Sequence, residues 1–228
     1  GVEPSEKLAD YANSIGVKTL HAFFDDNVHS KLPKEFENVD LVISSYTFDH
    51  IPKPVVVLKA IHDLLNDGGI MIHEVHDLGL IKQRNEYCLF EHEHYTYLNN
   101  RTMSFVLGSN GFELDTFELL SQKEKRANSL LVAAKKIDGT KLYPVNIEFE
   151  KSELHELSQS VSESISRIQH FMEDNKSASI VAYGAGGRGI MTIAALPDFS
   201  GFSFIVDKNP KSENIYSPKS HLPVYGIE

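Results

Sequence analysis

The chain has 228 residues, 41% hydrophobic and 10% aromatic, which suffices for one large or two modest cores and excludes a disordered chain. Its 32 acidic against 22 basic residues give a formal charge of -10, which argues against a nucleic-acid or anionic-membrane surface and for a small-molecule partner. One cysteine, Cys88, rules out a disulfide framework or a thiolate zinc site from this chain and points to a reducing, cytoplasmic setting; no apolar run approaches the roughly 18 residues of a membrane span.

The opening Gly1-Val2-Glu3-Pro4-Ser5 lacks Met and reads as the end of a buried strand, so the natural protein is expected to begin further upstream. Helical spacing of Leu8, Tyr11, Ala12 and Ile15 up to Gly16 precedes a predicted strand over 17–24. A second apolar run covers 39–45, a helix is predicted over 55–65, and Asp67-Gly68-Gly69 separates it from a strand over 70–75. This alternation is that of a parallel α/β sheet. Beyond a His-rich loop, 100–107 is helical, and strands over 111–120 and 129–135 are close enough to pair antiparallel at the sheet edge. Asp138-Gly139-Thr140 and Pro144 break the pattern before one long amphipathic helix over 147–172. A strand over 178–183, a glycine loop, a helix over 190–196 and a strand over 202–206 ending at Asp207 then start another βαβ unit. The expected organisation is a central domain over 1–137, a connecting segment over 138–176 and an incomplete Rossmann-like domain over 177–228.

Three features carry chemistry. Phe90-Glu91-His92-Glu93-His94-Tyr95-Thr96-Tyr97 packs two imidazoles and two further carboxylates among aromatics, a density suited to moving protons near neutral pH in a walled pocket. His92 and His94 share a face if that segment is extended. Glu3, ending an early strand, stands where doubly wound folds place an acid on a ribose diol, or else caps the helix after Pro4-Ser5. Gly184-Ala185-Gly186-Gly187-Arg188-Gly189 fits G-x-G-x-x-G between a strand and a helix, with Asp207 23 residues past Gly184, so it reads as an anion-binding loop or a glycine turn.

The ordered run of residues 39–45, Phe48-Asp49-His50-Ile51-Pro52, Gly68-Gly69, a strand, Gly111-Phe112 and an edge hairpin resembles the second half of class I S-adenosylmethionine-dependent methyltransferases. Adding Gly1-Val2-Glu3-Pro4-Ser5, Phe23-Phe24, Glu74, His92-Glu93-His94, the loop from Tyr183 to Gly189 and Val206-Asp207-Lys208-Asn209-Pro210 narrows the resemblance to the C-methyltransferases of nucleotide-linked deoxysugars. That resemblance implies a Rossmann-like methyltransferase sheet lacking its first elements, followed by a C-terminal Rossmann-like βαβ domain, in an enzyme whose small zinc-binding N-terminal domain and first glycine loop lie outside this chain. It implies S-adenosylmethionine as cofactor, with Glu3, Asp25 and Ser45 on the cofactor side; Asp25-Asp26 either reaches the adenine amino group or forms a solvated turn. It makes His94 the candidate base, oriented by His92 and Glu93, with Tyr95 and Tyr97 as pocket walls. The chain departs from the family pattern at Glu91, where a tyrosine is usual, and at Arg126-Ala127-Asn128-Ser129, where the family has His-Gly-Gly-Ser; Glu91 and Asn128 therefore face the expected substrate. Gly184, Gly186 and Arg188 are expected at the diphosphate or nucleotide of a sugar substrate. His73, His76, His92 and His94 with Glu74 and Glu93 are also metal-ligand types, but there is no zinc-helix motif and methyl transfer from a sulfonium needs no metal, so none is assigned. The alternatives are an O-methyltransferase of the same fold and an NAD- or nucleotide-binding Rossmann protein.

Overall fold

The computed structural model describes residues 1–25, 27–117, 119–121, 123, 124, 128–208 and 215–227, and of His29 the backbone alone. Asp26, Arg126, Ala127, Asn209 and Pro210, named above, lie outside the described residues. The chain forms two compact units, residues 1–80 with 92–146 and residues 81–91 with 147–228.

In the first unit, β1 (Val2–Glu3) and β2 (Leu20–His21) pair in parallel across α1 (Glu6–Ser14). The strand expected over 17–24 shrinks to two residues because the Asn13 amide takes both backbone groups of Thr19, accepting its N–H at 3.0 Å and donating to its C=O at 2.9 Å. A side chain has replaced the ladder partner. A short helix, α2 (Val28–Lys31), precedes β3 (Val39–Ser45), and α3 (Pro54–Leu64) carries the chain over to β4 (Leu65–His76). Pro54 begins α3 where its missing N–H costs nothing. β4 starts five residues earlier than the sequence suggests; a register shift between Val39 and Leu41 and the positive φ of Gly68, 71°, accommodate the glycine pair within the strand instead of a turn.

After α4 (Leu78–Arg84) come α5 (Asn100–Ser109), β5 (Phe112–Thr116) and β6 (Ser129–Lys136). The four-stranded sheet has the order β3-β4-β6-β5, with β3 parallel to β4 and the other two pairings antiparallel, as the edge hairpin predicts. Asn99 opens α5 with a capping box: its side chain accepts the Thr102 N–H and the Thr102 hydroxyl accepts the Asn99 N–H, both at 3.0 Å. Val57, Leu58 and Ile61 of α3 and Met103 and Leu107 of α5 bury against Met71, Val75, Phe112 and Val132 of the sheet. Each such side chain contributes about 1.5 to 3 kcal/mol on burial. β3 is an edge strand, and its Leu41 and Ile43 are exposed beside a cavity of about 370 Å³ also lined by Gly1 and Val2.

The second unit begins its sequential part with α6 (Ile147–Asp174), which buries Leu157, Ile165 and Met172. β7 (Ile180–Tyr183), α7 (Gly187–Ala195) and β8 (Phe202–Asp207) form the expected parallel βαβ unit. Two unexpected strands, β9 (Ile215–Tyr216) and β10 (Pro223–Gly226), complete the order β7-β8-β10-β9, with β10 parallel to β8. Ile193, Ile205 and Val224 form the core of this sheet. Residues 81–91 belong here: the Asn85 amide donates to the Ser164 hydroxyl of α6 at 2.7 Å.

Candidate active site

In an α/β sheet, ligands gather past the carboxyl ends of the strands. Parallel pairing sets Ser45 opposite Glu74, so the residues just beyond them converge. Tyr46 takes a positive φ of 46°, an unfavourable conformation for a bulky residue, and turns the chain out of β3 into a 3-10 turn at Phe48–His50. That turn delivers Asp49 to His76, the last residue of β4, whose Nδ1 lies 2.6 Å from Asp49 Oδ2.

The His-rich segment is anchored on the same turn. Tyr95 N–H donates to the Asp49 carbonyl at 2.8 Å, and Leu78 N–H to the Leu98 carbonyl at 2.9 Å. His94 is thereby brought against two other imidazoles, with ring centroids 4.5 Å from His50 and 4.9 Å from His76, and Tyr97 stands edge-on to it at 5.8 Å. Asp49 is 2% exposed; Oδ1 is buried without a hydrogen-bond partner, 3.9 Å from His50 Nε2. Burial alone would push its carboxyl up, but the His76 hydrogen bond and the charges of His76, His50 and His94 outweigh that and hold it below its ordinary value. The site is one buried carboxylate ringed by three imidazoles.

Of the predicted catalytic residues, His94 is at the centre and Glu93, though exposed, has a carboxylate oxygen within 4.8 Å of ring nitrogens of His50 and His94. His92 is exposed, because the backbone turns at 92–93 and the alternation of an extended segment does not apply. Asp49 and His76 were missed as a pair: 27 residues and a helical crossover separate them, and only the β3–β4 register reveals their meeting. His73, considered as a ligand type, points instead into the core, fully buried and stacked on Phe48 at 4.6 Å.

A cavity of about 540 Å³ adjoins the cluster, lined by His50 and Tyr95 on one side and by Val2, Pro4, Phe24 and Asp25 on the other. Asp25 thus reaches a pocket wall, while one of its oxygens accepts the Asn27 N–H at 2.9 Å. Glu3 is half-buried and its Oε1 accepts the Ser5 N–H at 2.8 Å, the capping alternative. Ser45 donates to Glu74 Oε2 at 2.6 Å while Ser129 donates to Oε1 at 2.8 Å, so its hydroxyl helps fix a carboxylate across three strands. Asn128 is buried and its carbonyl accepts the Asp77 N–H at 2.8 Å. Tyr95 is 62% exposed and forms the cavity rim.

Glu91, Gly184, Gly186 and Arg188 belong to the second unit. Gly184 adopts φ 101°, and a Cβ on Gly189 would lie 2.1 Å from the Gly184 carbonyl oxygen, so both glycines are required by the fold. Gly186 differs: it precedes α7 with φ −74°, and a Cβ there would meet nothing within 4 Å. Asp207 Oδ2 accepts the Ala185 N–H at 2.7 Å, and Arg188 Nη2 pairs with Glu86 at 2.9 Å. Arg188, expected at the nucleotide, is thus paired with Glu86, and Asp207 is engaged with the loop itself.

A methyltransferase-domain family matches residues 1–116, half of the chain. The chain belongs to that family. Membership and the α/β topology identify a class I, Rossmann-like methyltransferase fold with S-adenosylmethionine as the implied cofactor. The Val2, Pro4, Phe24 and Asp25 wall suits its adenosine: apolar groups for the base and a carboxylate for polar edges. Among curated proteins, the C-methyltransferase NovU of Streptomyces niveus is 30% identical over 114 residues, which are 50% of this chain and 27% of that protein; the aligned chain therefore spans about a quarter of its relative. Similar solved structures include the methyltransferase bound to the Trm112 activator of Haloferax volcanii, 16% identical with a TM-score of 0.47 over 62% of this chain and 72% of that one. Another is a Thermotoga maritima methyltransferase, 25% identical with a TM-score of 0.43 over 60% and 71%.

Proposed function

We propose that the protein transfers the methyl group of S-adenosylmethionine to a carbon next to the keto group of a nucleotide-linked deoxysugar, with His94 as proton acceptor. The observation that carries this reading is the buried Asp49 carboxylate with its ring of imidazoles, at the edge of the cavity whose far wall suits adenosine. The partial identity to a C-methyltransferase supports carbon as the acceptor.

Carbon methylation first needs an α-proton removed, and a positioned imidazole does this near neutral pH. His94 takes the proton from the sugar carbon; the enolate carbon then bonds to the sulfonium methyl as the carbon–sulfur bond breaks, leaving S-adenosylhomocysteine. Asp49 opposes the positive charge that the imidazole ring acquires, and its hydrogen bond to His76 holds that second imidazole beside His94. Tyr97 stands edge-on to His94 and Tyr95 forms the cavity rim, so both flank the reacting group. In the second unit, taken by itself, the glycine loop offers backbone N–H groups at the start of α7 that suit a diphosphate.

In the full-length protein, His94→Asn is expected to lower turnover by about 10² to 10⁴ while S-adenosylhomocysteine binding, read calorimetrically, stays intact. Exchange of the sugar α-proton with deuterated solvent should fall in parallel. Persistent exchange in the variant removes His94 from the role of base, and saturable binding of NAD in place of S-adenosylhomocysteine sinks methyl transfer itself.

A further inference from the structure

One donor atom each from Asp49, His76 and His94 lies within 4.8 Å of the other two, and the same holds for His50, Glu93 and His94. The two sets share His94. In a tetrahedral zinc site the metal bonds are about 2.0 to 2.2 Å, which places neighbouring donor atoms roughly 3.3 to 3.6 Å apart. The Asp49 Oδ2 to His76 Nδ1 distance of 2.6 Å is shorter than that spacing, so an ion would enter by opening this hydrogen bond.

A second observation is independent of this clustering. Asp49 Oδ1 is buried and has no hydrogen-bond partner, while Oδ2 of the same carboxylate is already engaged by His76. A buried acceptor left unmade costs about 1 to 3 kcal/mol or more for a charged group, and a cation placed among the three side chains would remove that cost. Two imidazole nitrogens with one carboxylate favour zinc and its transition-metal neighbours over calcium or magnesium, which take mainly oxygen ligands.

We propose that Asp49, His76 and His94 bind one divalent transition-metal ion of the zinc class, and that this ion and proton acceptance by His94 exclude each other. The first half stands on the side chains alone; the second rests on the methyl-transfer reading. A ring nitrogen bound to the ion has no lone pair left for a proton. The ion therefore inhibits, and the state competent for chemistry is the metal-free one.

The test is a titration of the chain with cobalt(II), followed by visible absorption and repeated with zinc as competitor. The expected result is saturation at one ion per chain, ligand-field bands of a four- or five-coordinate ion, and displacement by zinc. Asp49→Asn and His76→Gln should each weaken binding by more than the about 10- to 100-fold that outer-shell changes cost. His155→Gln, on the exposed face of α6, should leave it unchanged. Circular dichroism and the thermal midpoint identify any variant that is misfolded; the other variant then decides. Absence of one-to-one binding, or equal affinity in both site variants and wild type, overturns the site. Zinc should also abolish α-proton exchange and a chelator restore it. Exchange unaffected by bound zinc refutes the exclusion while leaving methyl transfer standing, whereas a protein that binds cobalt but never methylates removes the functional reading and keeps the metal site.

Discussion

His73 makes the first unit sensitive to acid. Its ring is fully buried, both nitrogens lack hydrogen-bond partners, and burial pushes its pKa from 6.5 down to about 4. The folded state therefore keeps the ring neutral while the unfolded chain takes up a proton below pH 6.5. The unfolded state binds more protons between these values, so stability is fully present above pH 6.5 and is lost as pH falls toward 4. Linkage with these two values gives a loss of about 2 kcal/mol at pH 5 relative to pH 7.5. His73→Leu removes the titration while keeping a side chain of similar volume on β4. Packing differences between the two side chains do not depend on pH and drop out when the slopes are compared. Urea unfolding of both proteins at pH 7.5 and pH 5, followed by circular dichroism, should show wild type losing about 2 kcal/mol more than the variant. Parallel losses would refute the reasoning, as would a ring titration near 6.5 observed for His73 by NMR.

Gly186→Val should raise the Michaelis constant for the sugar nucleotide alone; its Cβ meets nothing within 4 Å among the described residues, so the melting temperature should fall only by the modest cost of losing glycine at the N-cap of α7, and unchanged kinetics would retire the glycine loop from binding. Gly189→Ala should instead lower the melting temperature, because its Cβ would strike the Gly184 carbonyl. Glu3→Gln in the full-length protein is expected to weaken S-adenosylhomocysteine binding by about 1 to 3 kcal/mol if Glu3 accepts from the ribose; unaltered affinity in calorimetry leaves it as the acceptor for Ser5 N–H.

Most of the fold was legible because periodicity and punctuation agree along the chain. Apolar spacing marked α1, α3, α5 and α6, glycine turns marked the ends of several elements, and the parallel β7–β8 unit followed from its flanking loop. The errors lie where a side chain or a glycine bond competes locally with the ladder. Asn13 shortened β2 by taking the hydrogen bonds of Thr19, and Gly68 admitted residues 65–69 into β4 where a turn was expected. β9 and β10 are short and carry weak signals: Ile215–Tyr216 has two residues, and β10 begins at a proline, a residue depleted in strands.

The candidate site was legible only in the part that is contiguous. Residues 90–97 stood out because their chemistry is dense in sequence, and that density overstated His92, which a turn directs to solvent, while naming His94. Asp49 stood in the motif over 48–52 and His76 among possible ligand types, but nothing local joins the two. Their meeting follows from arithmetic that requires the register: Ser45 faces Glu74, β4 runs two residues further to His76, and the turn after β3 needs four to return Asp49 to the same level. Once that register is known, counting residues past the paired strand ends places the acid and the base together without any motif. That count explains why the cluster draws on three separated stretches of chain, and why a one-residue slip of β3 against β4 would part Asp49 from His76 and also move the anchor of the His-rich segment, since the Asp49 carbonyl accepts the Tyr95 N–H.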